Sequence, residues 1–134
     1  MELTIRQLNE NDYQDILVDW WKQWGWTAPE KDFLPDDGMG GYIVYDEEIP
    51  ICAGFIYVTN SRVAWVDWII SNKEYRGKRK EAITMLIETL TNLSKMSGSK
   101  YAYALIKNDS LIKTYEDLSY VKGDSYTSEM IKLL

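Results

Sequence analysis

"VDWIISNKEYRGKRKEAITMLIETL", residues 66–90, decides how the rest of the chain is read. Val66 to Ser71 is a β-rich run. Ala82, Ile83, Leu86, Ile87 and Leu90, continued by Leu93 and Met96, recur at the three- and four-residue spacing of an amphipathic helix that Gly98 ends. Between strand and helix lies a turn with one glycine, Gly77, and the cations Arg76, Lys78, Arg79 and Lys80. The start of a helix gathers unpaired backbone N–H groups and the positive end of its dipole, which is where an anion binds. Cations there are unfavourable unless an anion offsets them, so a phosphate accounts for the turn better than a solvated basic helix start does.

Outward from this unit, "LTIRQL" alternates as a half-buried strand does. Asn9 with Asp12 then offers a capped start to a helix carrying Tyr13, Ile16, Leu17, Trp20, Trp21 and Trp24. Gly25 stops it, and "TAPEKDFLPDDGMGG" reads as a loop. "YIVYD", "IPICAGFIYVTN" and "RVAWVDWIIS" follow as strands joined by turns short enough for antiparallel hairpins. Past the long helix come a strand, "KYAYALI", a short helix capped by Asn108 or Asp109, and a final strand in "SYTSEMIKLL". The order β-α-β-β-β-α-β-α-β predicts one α+β (mixed α/β) domain over residues 1–134. An exposed final strand would be an edge open to pairing, which leaves a homodimer open.

Composition narrows the chemistry. The chain is 46% hydrophobic and 27% charged, as folded globular proteins are, and its net charge of −6 argues against nucleic acid as partner. It has no His and one cysteine, Cys52, which excludes a disulfide and the usual zinc or iron sites, so no metal is expected. Proton transfer must then use carboxylates, Tyr, Lys or Cys52. The opening "MELTIRQLNE" has no signal-peptide pattern and no run of some 18 apolar residues occurs, so a cytoplasmic protein off the membrane is expected.

The element order, centred on residues 66–90, resembles that of the Gcn5-related N-acetyltransferases, and the resemblance runs along nearly the whole chain. Two motifs carry it. The family turn Arg/Gln-x-x-Gly-x-Gly/Ala starts here at Arg76 and keeps "YRGK", its two glycines falling on Arg79 and Glu81. The family's Asn followed seven residues later by Tyr-Glu-x-Leu-Gly-Phe matches Asn108, Tyr115, Glu116, Leu118, Ser119 and Tyr120. The resemblance implies an acyl-CoA N-acyltransferase fold, a mostly antiparallel sheet flanked by helices, with acetyl-CoA as co-substrate in a V-shaped opening between the fourth and fifth strands. It implies that Arg76, Gly77, Lys78, Arg79, Lys80 and Glu81 surround the pyrophosphate, that Asn108 belongs to the same site, and that backbone groups of Ile70 and Ser71 bond the acetyl and pantetheine groups. Glycine is needed only where φ is positive or a Cβ would strike the ligand. Arg79 and Glu81 therefore have either ordinary helical angles or a pyrophosphate pushed outward, and Glu81 competes with phosphate for the same donors.

The implied reaction is direct attack of an amine on the thioester, with Tyr115 as the acid for the leaving thiolate and Asp67 as the base. Helical spacing alone would make Tyr115 a packing residue in line with Leu111, Ile112 and Leu118; the Asn-to-Tyr spacing makes it the acid. Asp67 stands among apolar neighbours that would raise its pKa, or it is a salt-bridged carboxylate on a half-covered face. Alternation places Trp65, Asp67 and Ile69 on one face and Val66, Trp68 and Ile70 on the other. Trp20, Trp21, Trp24 and Trp26 cannot share one helical stripe; Trp20 and Trp24 are expected in the core, and Trp21 and Trp26 at the acceptor site, where their rings could hold a cationic amine. The acceptor is a small-molecule amine or a protein lysine or N-terminus. The alternative is an inactive protein of the same fold serving as a binding or inhibitory module, to which the lost glycines would point.

Overall fold

A computed structural model of the chain describes residues 2–125 and 128–134. One sheet holds five strands in the order β1 (Leu3–Gln7), β2 (Gly41–Asp46), β3 (Ile49–Val58), β4 (Val63–Ser71) and β5 (Tyr101–Tyr103). Neighbours are antiparallel except β4 and β5, which run parallel. Between β1 and β2, a π-helical stretch, Tyr13–Leu17, runs straight into α1 (Val18–Gln23), and two 3-10 turns follow. The crossover from β4 to β5 is α2 (Arg79–Met96), and α3 (Asp109–Asp117) follows β5.

A six-residue helix has no stability of its own, so α1 exists because one face of it is buried. Leu17, Trp20 and Trp21 pack with Ile43, Ala53, Phe55 and Ile70 on one side of the sheet. On the other side, Ala82, Leu86, Ile87 and Leu90 of α2 and Tyr115 of α3 pack against Val44, Cys52 and Val66. The sheet is thus covered on both faces, by α1 on one and by α2 with α3 on the other.

Three expectations are corrected. Leu17, Trp20, Trp21 and Trp24 fall at i, i+3, i+4 and i+7, a complete helical stripe, and Trp21 is buried (3% exposed) with its ring edge-on to Trp68 at 6.4 Å. Trp21 therefore belongs to the core and not to a groove. The alternation in β4 slips at Trp68, whose φ of +57° makes a β-bulge opposite β3. Val66 and Ile69 consequently face α2, while Trp68 and Ile70 face α1. Finally, the expected last strand is not found among the described residues: Tyr126 and Thr127, which fall within it, lie outside them, and Ser125 and residues 128–134 belong to no helix or strand. Val121, Met130, Ile131, Leu133 and Leu134 are exposed there.

Candidate functional site: a basic cleft where two parallel strands part

β4 and β5 pair only from Val63↔Tyr101 to Trp65↔Tyr103, after which β4 continues to Ser71 without β5 beside it. Two side chains hold the parting strands. Asp67 accepts from its neighbour's amide, Trp68 N–H, at 2.8 Å and from Leu105 N–H at 3.1 Å, so one carboxylate supports the bulge and ties it to the chain beyond β5. Burial raises the pKa of Asp67, and these two amides pull the other way. Tyr115, 2% exposed, donates its hydroxyl to Val66 O at 2.7 Å, satisfying a β4 carbonyl that β5 no longer reaches. Burial, and then the Asp67 charge, push the Tyr115 phenol well above its ordinary range. Its proton is committed to a carbonyl, which is the position of a staple more than of an acid.

Opposite this edge stands the start of α2. Lys78 is its N-cap with no side-chain cap, and the first helical bond is Ala82 N–H to Lys78 O at 2.9 Å. The amides of Arg79, Lys80 and Glu81 precede that bond and have no carbonyl one turn back, as at any helix start. Arg79 and Glu81 have ordinary helical angles, so the glycines of the family turn are not needed for the backbone to close. The Arg79 side chain folds back onto the turn and donates to the carbonyls of Asn72 (3.0 Å), Lys73 (3.0 Å) and Tyr75 (2.7 Å). Tyr75 binds the turn from the other side: its hydroxyl donates to Asp46 at 2.5 Å and accepts from Lys78 N–H at 3.2 Å. The one glycine leaves room for that ring: a Cβ on Gly77 would lie 3.1 Å from the Tyr75 hydroxyl oxygen, a contact that the ring would have to yield to by a few tenths of an ångström.

Between the β4 edge, the α2 start and α3 lies a cleft of about 620 Å³. Ile69, Ile70, Ile83 and Leu111 give it apolar walls, Arg76, Arg79, Lys80 and Lys113 make it positive, and among the described residues no acidic side chain lines it. Asn108 lines it too and caps α3, its Oδ1 accepting from Leu111 N–H at 3.0 Å. Trp24 and Trp26 form the α1 side. α1 ends in a Schellman motif, with Trp26 N–H on Trp21 O (2.9 Å), Gly25 N–H on Lys22 O (2.9 Å) and Gly25 at φ +78°, which turns Trp26 back over Trp24. The two rings stack at 5.6 Å and 16°.

Of the residues expected at the coenzyme, Ile70, Ser71, Arg76, Arg79, Lys80 and Asn108 line one cleft, while Gly77, Lys78 and Glu81 do not. Glu81 is exposed and stands outside the cleft, where it does not compete with a ligand in it. Trp26 lines the cleft; Trp24, expected in the core, lines it as well. Sequence reasoning missed Tyr75 and Asp46, whose bond links residues 29 apart and leaves no local signal. It missed Trp24 although that residue sits at the last turn of the helix, next to the glycine that ends it.

No protein-family model and no curated protein matches the sequence. Solved structures do. Glucosamine-6-phosphate N-acetyltransferase from Arabidopsis thaliana is 13% identical, with 98% of this chain and 100% of that one covered and a TM-score of 0.69. A ribosomal-protein alanine N-acetyltransferase from Escherichia coli is 16% identical, with 92% and 80% covered and a TM-score of 0.69. AAC(6′)-Iy in complex with the bisubstrate analogue CoA-S-monomethyl-acetylneamine is 15% identical, with 99% and 100% covered and a TM-score of 0.68. At these identities the likeness is one of fold. With its sheet covered on both faces and its fourth and fifth strands parting over a helix start, the chain has the acyl-CoA N-acyltransferase fold of the Gcn5-related N-acetyltransferases.

Proposed function

We propose that the protein is an acetyl-CoA-dependent N-acetyltransferase. The observation that carries this reading is a cleft with only basic charges, open between parted strands and ending at a helix start with free amides. That chemistry fits a long ligand with an apolar amide-bearing arm and a diphosphate. The Arg79 and Lys80 amides with the Arg76 and Lys80 side chains take the pyrophosphate, and the pantetheine arm lies along β4 at Ile70 and Ser71. A neutral amine then attacks the thioester carbonyl, the C–N bond forms, the C–S bond breaks and the amine gives its proton to water in the cleft, Asp67, which does not line the cleft, receiving it along a chain of waters. The raised pKa of Asp67 suits a base working nearer neutrality than an ordinary carboxylate does.

Tyr115 in this reading positions the β4 edge beside the thioester, and the departing thiolate takes its proton from solvent in the open cleft. The acceptor is a primary amine of a small molecule or a protein. The alternative of an inactive binding module drew on the lost glycines and the exposed tryptophans; against it, Arg79 binds its own turn and Glu81 is exposed outside the cleft, which leaves the cleft open to a ligand.

Calorimetric titration with acetyl-CoA, followed by an amine screen with thiol detection, tests the reading. Micromolar binding, about 8 kcal/mol, that weakens sharply for a fragment lacking the pyrophosphate is expected. No binding at millimolar acetyl-CoA overturns it.

A further inference from the structure

Trp24 is held by one hydrogen bond and by contacts on its ring. Its Nε1–H donates to Ser71 O at 2.8 Å, Lys73 Nζ lies 5.3 Å and Arg79 Cζ 5.6 Å from its ring centroid, and Trp26 stacks on it. Trp26, by contrast, is 55% exposed, although it rests on a rigid ring and lines the cleft. A large apolar ring stacked on a half-buried, hydrogen-bonded support and left in water is built to stack with something planar. The surrounding charge says what kind of planar group. With Lys73 and Arg79 already on Trp24, and Arg76 and Lys80 lining the same cleft, a cationic amine over Trp26 would meet repulsion from these four cations. A π-system joined to phosphates meets attraction from all of them.

We propose that Trp26 is a base platform: it stacks the adenine of the nucleotide whose phosphates sit at the start of α2, and Trp24 holds it in place. The assignment rests on the coenzyme A reading and reverses the expectation that Trp26 holds the acceptor amine. Stacking on an aromatic side chain is sequence-tolerant and depends on ring area, so Phe should preserve most of it and Ala none.

The experiment compares wild type, Trp26→Ala and Trp26→Phe in calorimetric titrations with coenzyme A, adenosine 3′,5′-bisphosphate and 4′-phosphopantetheine, thermal melts confirming that each variant is folded. Trp26→Ala should weaken coenzyme A and the bisphosphate by about tenfold. It should leave phosphopantetheine within about twofold, and Trp26→Phe should restore most of the loss. Equal losses for all three ligands, or no loss for the two that carry adenine, would overturn the platform while leaving the transferase reading intact. Trp26-dependent binding of the bisphosphate without acetyl transfer would support the platform and sink the transferase reading. Absence of binding to all three ligands overturns both.

Discussion

Ser119 shows what one side chain costs. It occupies the C′ position of a Schellman motif closing α3, with Tyr120 N–H on Tyr115 O (3.1 Å), Ser119 N–H on Glu116 O (2.9 Å) and φ at +74°. A left-handed residue with a Cβ costs roughly 1–2 kcal/mol, partly offset by the extra unfolded-state freedom of the glycine that would relieve it. Ser119→Gly should therefore stabilise the protein by about 0.5–1 kcal/mol, read as a higher urea midpoint at unchanged slope; an unchanged or lower midpoint refutes the assignment. The same motif explains the spacing of Tyr115 and Tyr120, whose rings meet edge-on at 4.8 Å as the apolar clasp of the helix end. The pattern from Asn108 to Tyr120 was legible because a helix must start and stop. What the hydroxyl of Tyr115 touches was not, since its partner lies on another strand. Asp67 gives a second test. Its folded pKa is raised by burial, so its ionisation opposes folding: the penalty is absent below the ordinary carboxylate pKa and grows as pH rises toward the folded value. The stability of Asp67→Asn relative to wild type should accordingly increase from pH 4 upward and then level off, as measured by denaturant titration across that range.

Among elements, the turn from β4 into α2 is the most heavily tied. Arg79 binds three of its carbonyls, and the chain from Asp46 through Tyr75 to the Lys78 amide braces it against the end of β2. The other Asp46 carboxylate oxygen is buried and has no partner, so Tyr75 is what makes that carboxylate tolerable. Tyr75→Phe should lower thermal stability and loosen the turn, weakening coenzyme A binding while an amine at saturating acetyl-CoA is turned over at a similar rate. A variant with wild-type affinity would mean that the brace is irrelevant to the ligand. The position of this turn and of both long flanking elements could be read from residues 66–90, because strand and helix periods change over six or seven residues. The bulge at Trp68 could not: nothing in "WVDWII" distinguishes a slipped strand from a regular one, since the slip is set by pairing with β3. The stripe of Leu17, Trp20, Trp21 and Trp24 was legible in principle, and counting all four tryptophans together obscured it.

At the scale of the whole molecule, charge is segregated. A chain of net charge −6 gathers Arg76, Arg79, Lys80 and Lys113 around one cleft that no acid among the described residues lines. Acidic surface elsewhere repels an anionic ligand at long range and the cleft attracts it at short range, so salt acts on both. The short-range term dominates once the ligand is bound, and raising sodium chloride from 50 to 300 mM should weaken coenzyme A several-fold; affinity independent of salt would show that the cations do not touch the phosphates. Sheet order and the two-faced core followed from the succession of apolar periods. The lack of a strand among the described residues of "SYTSEMIKLL" did not, because alternation describes what a segment would bury and not whether an edge is there to receive it.

The pairing of β4 with β5 ends after Trp65↔Tyr103, and this has a mechanical side. One wall of the cleft is the edge of a broad antiparallel sheet, whereas α3 on the opposite side follows a strand of only three residues. That short strand is not what fixes α3: Tyr115 is buried against α2 and bonded to Val66 O, and Asp67 ties Leu105 to the same stretch of β4. The opening is therefore a wedge whose width is set by two bonds across the gap, in place before a ligand arrives.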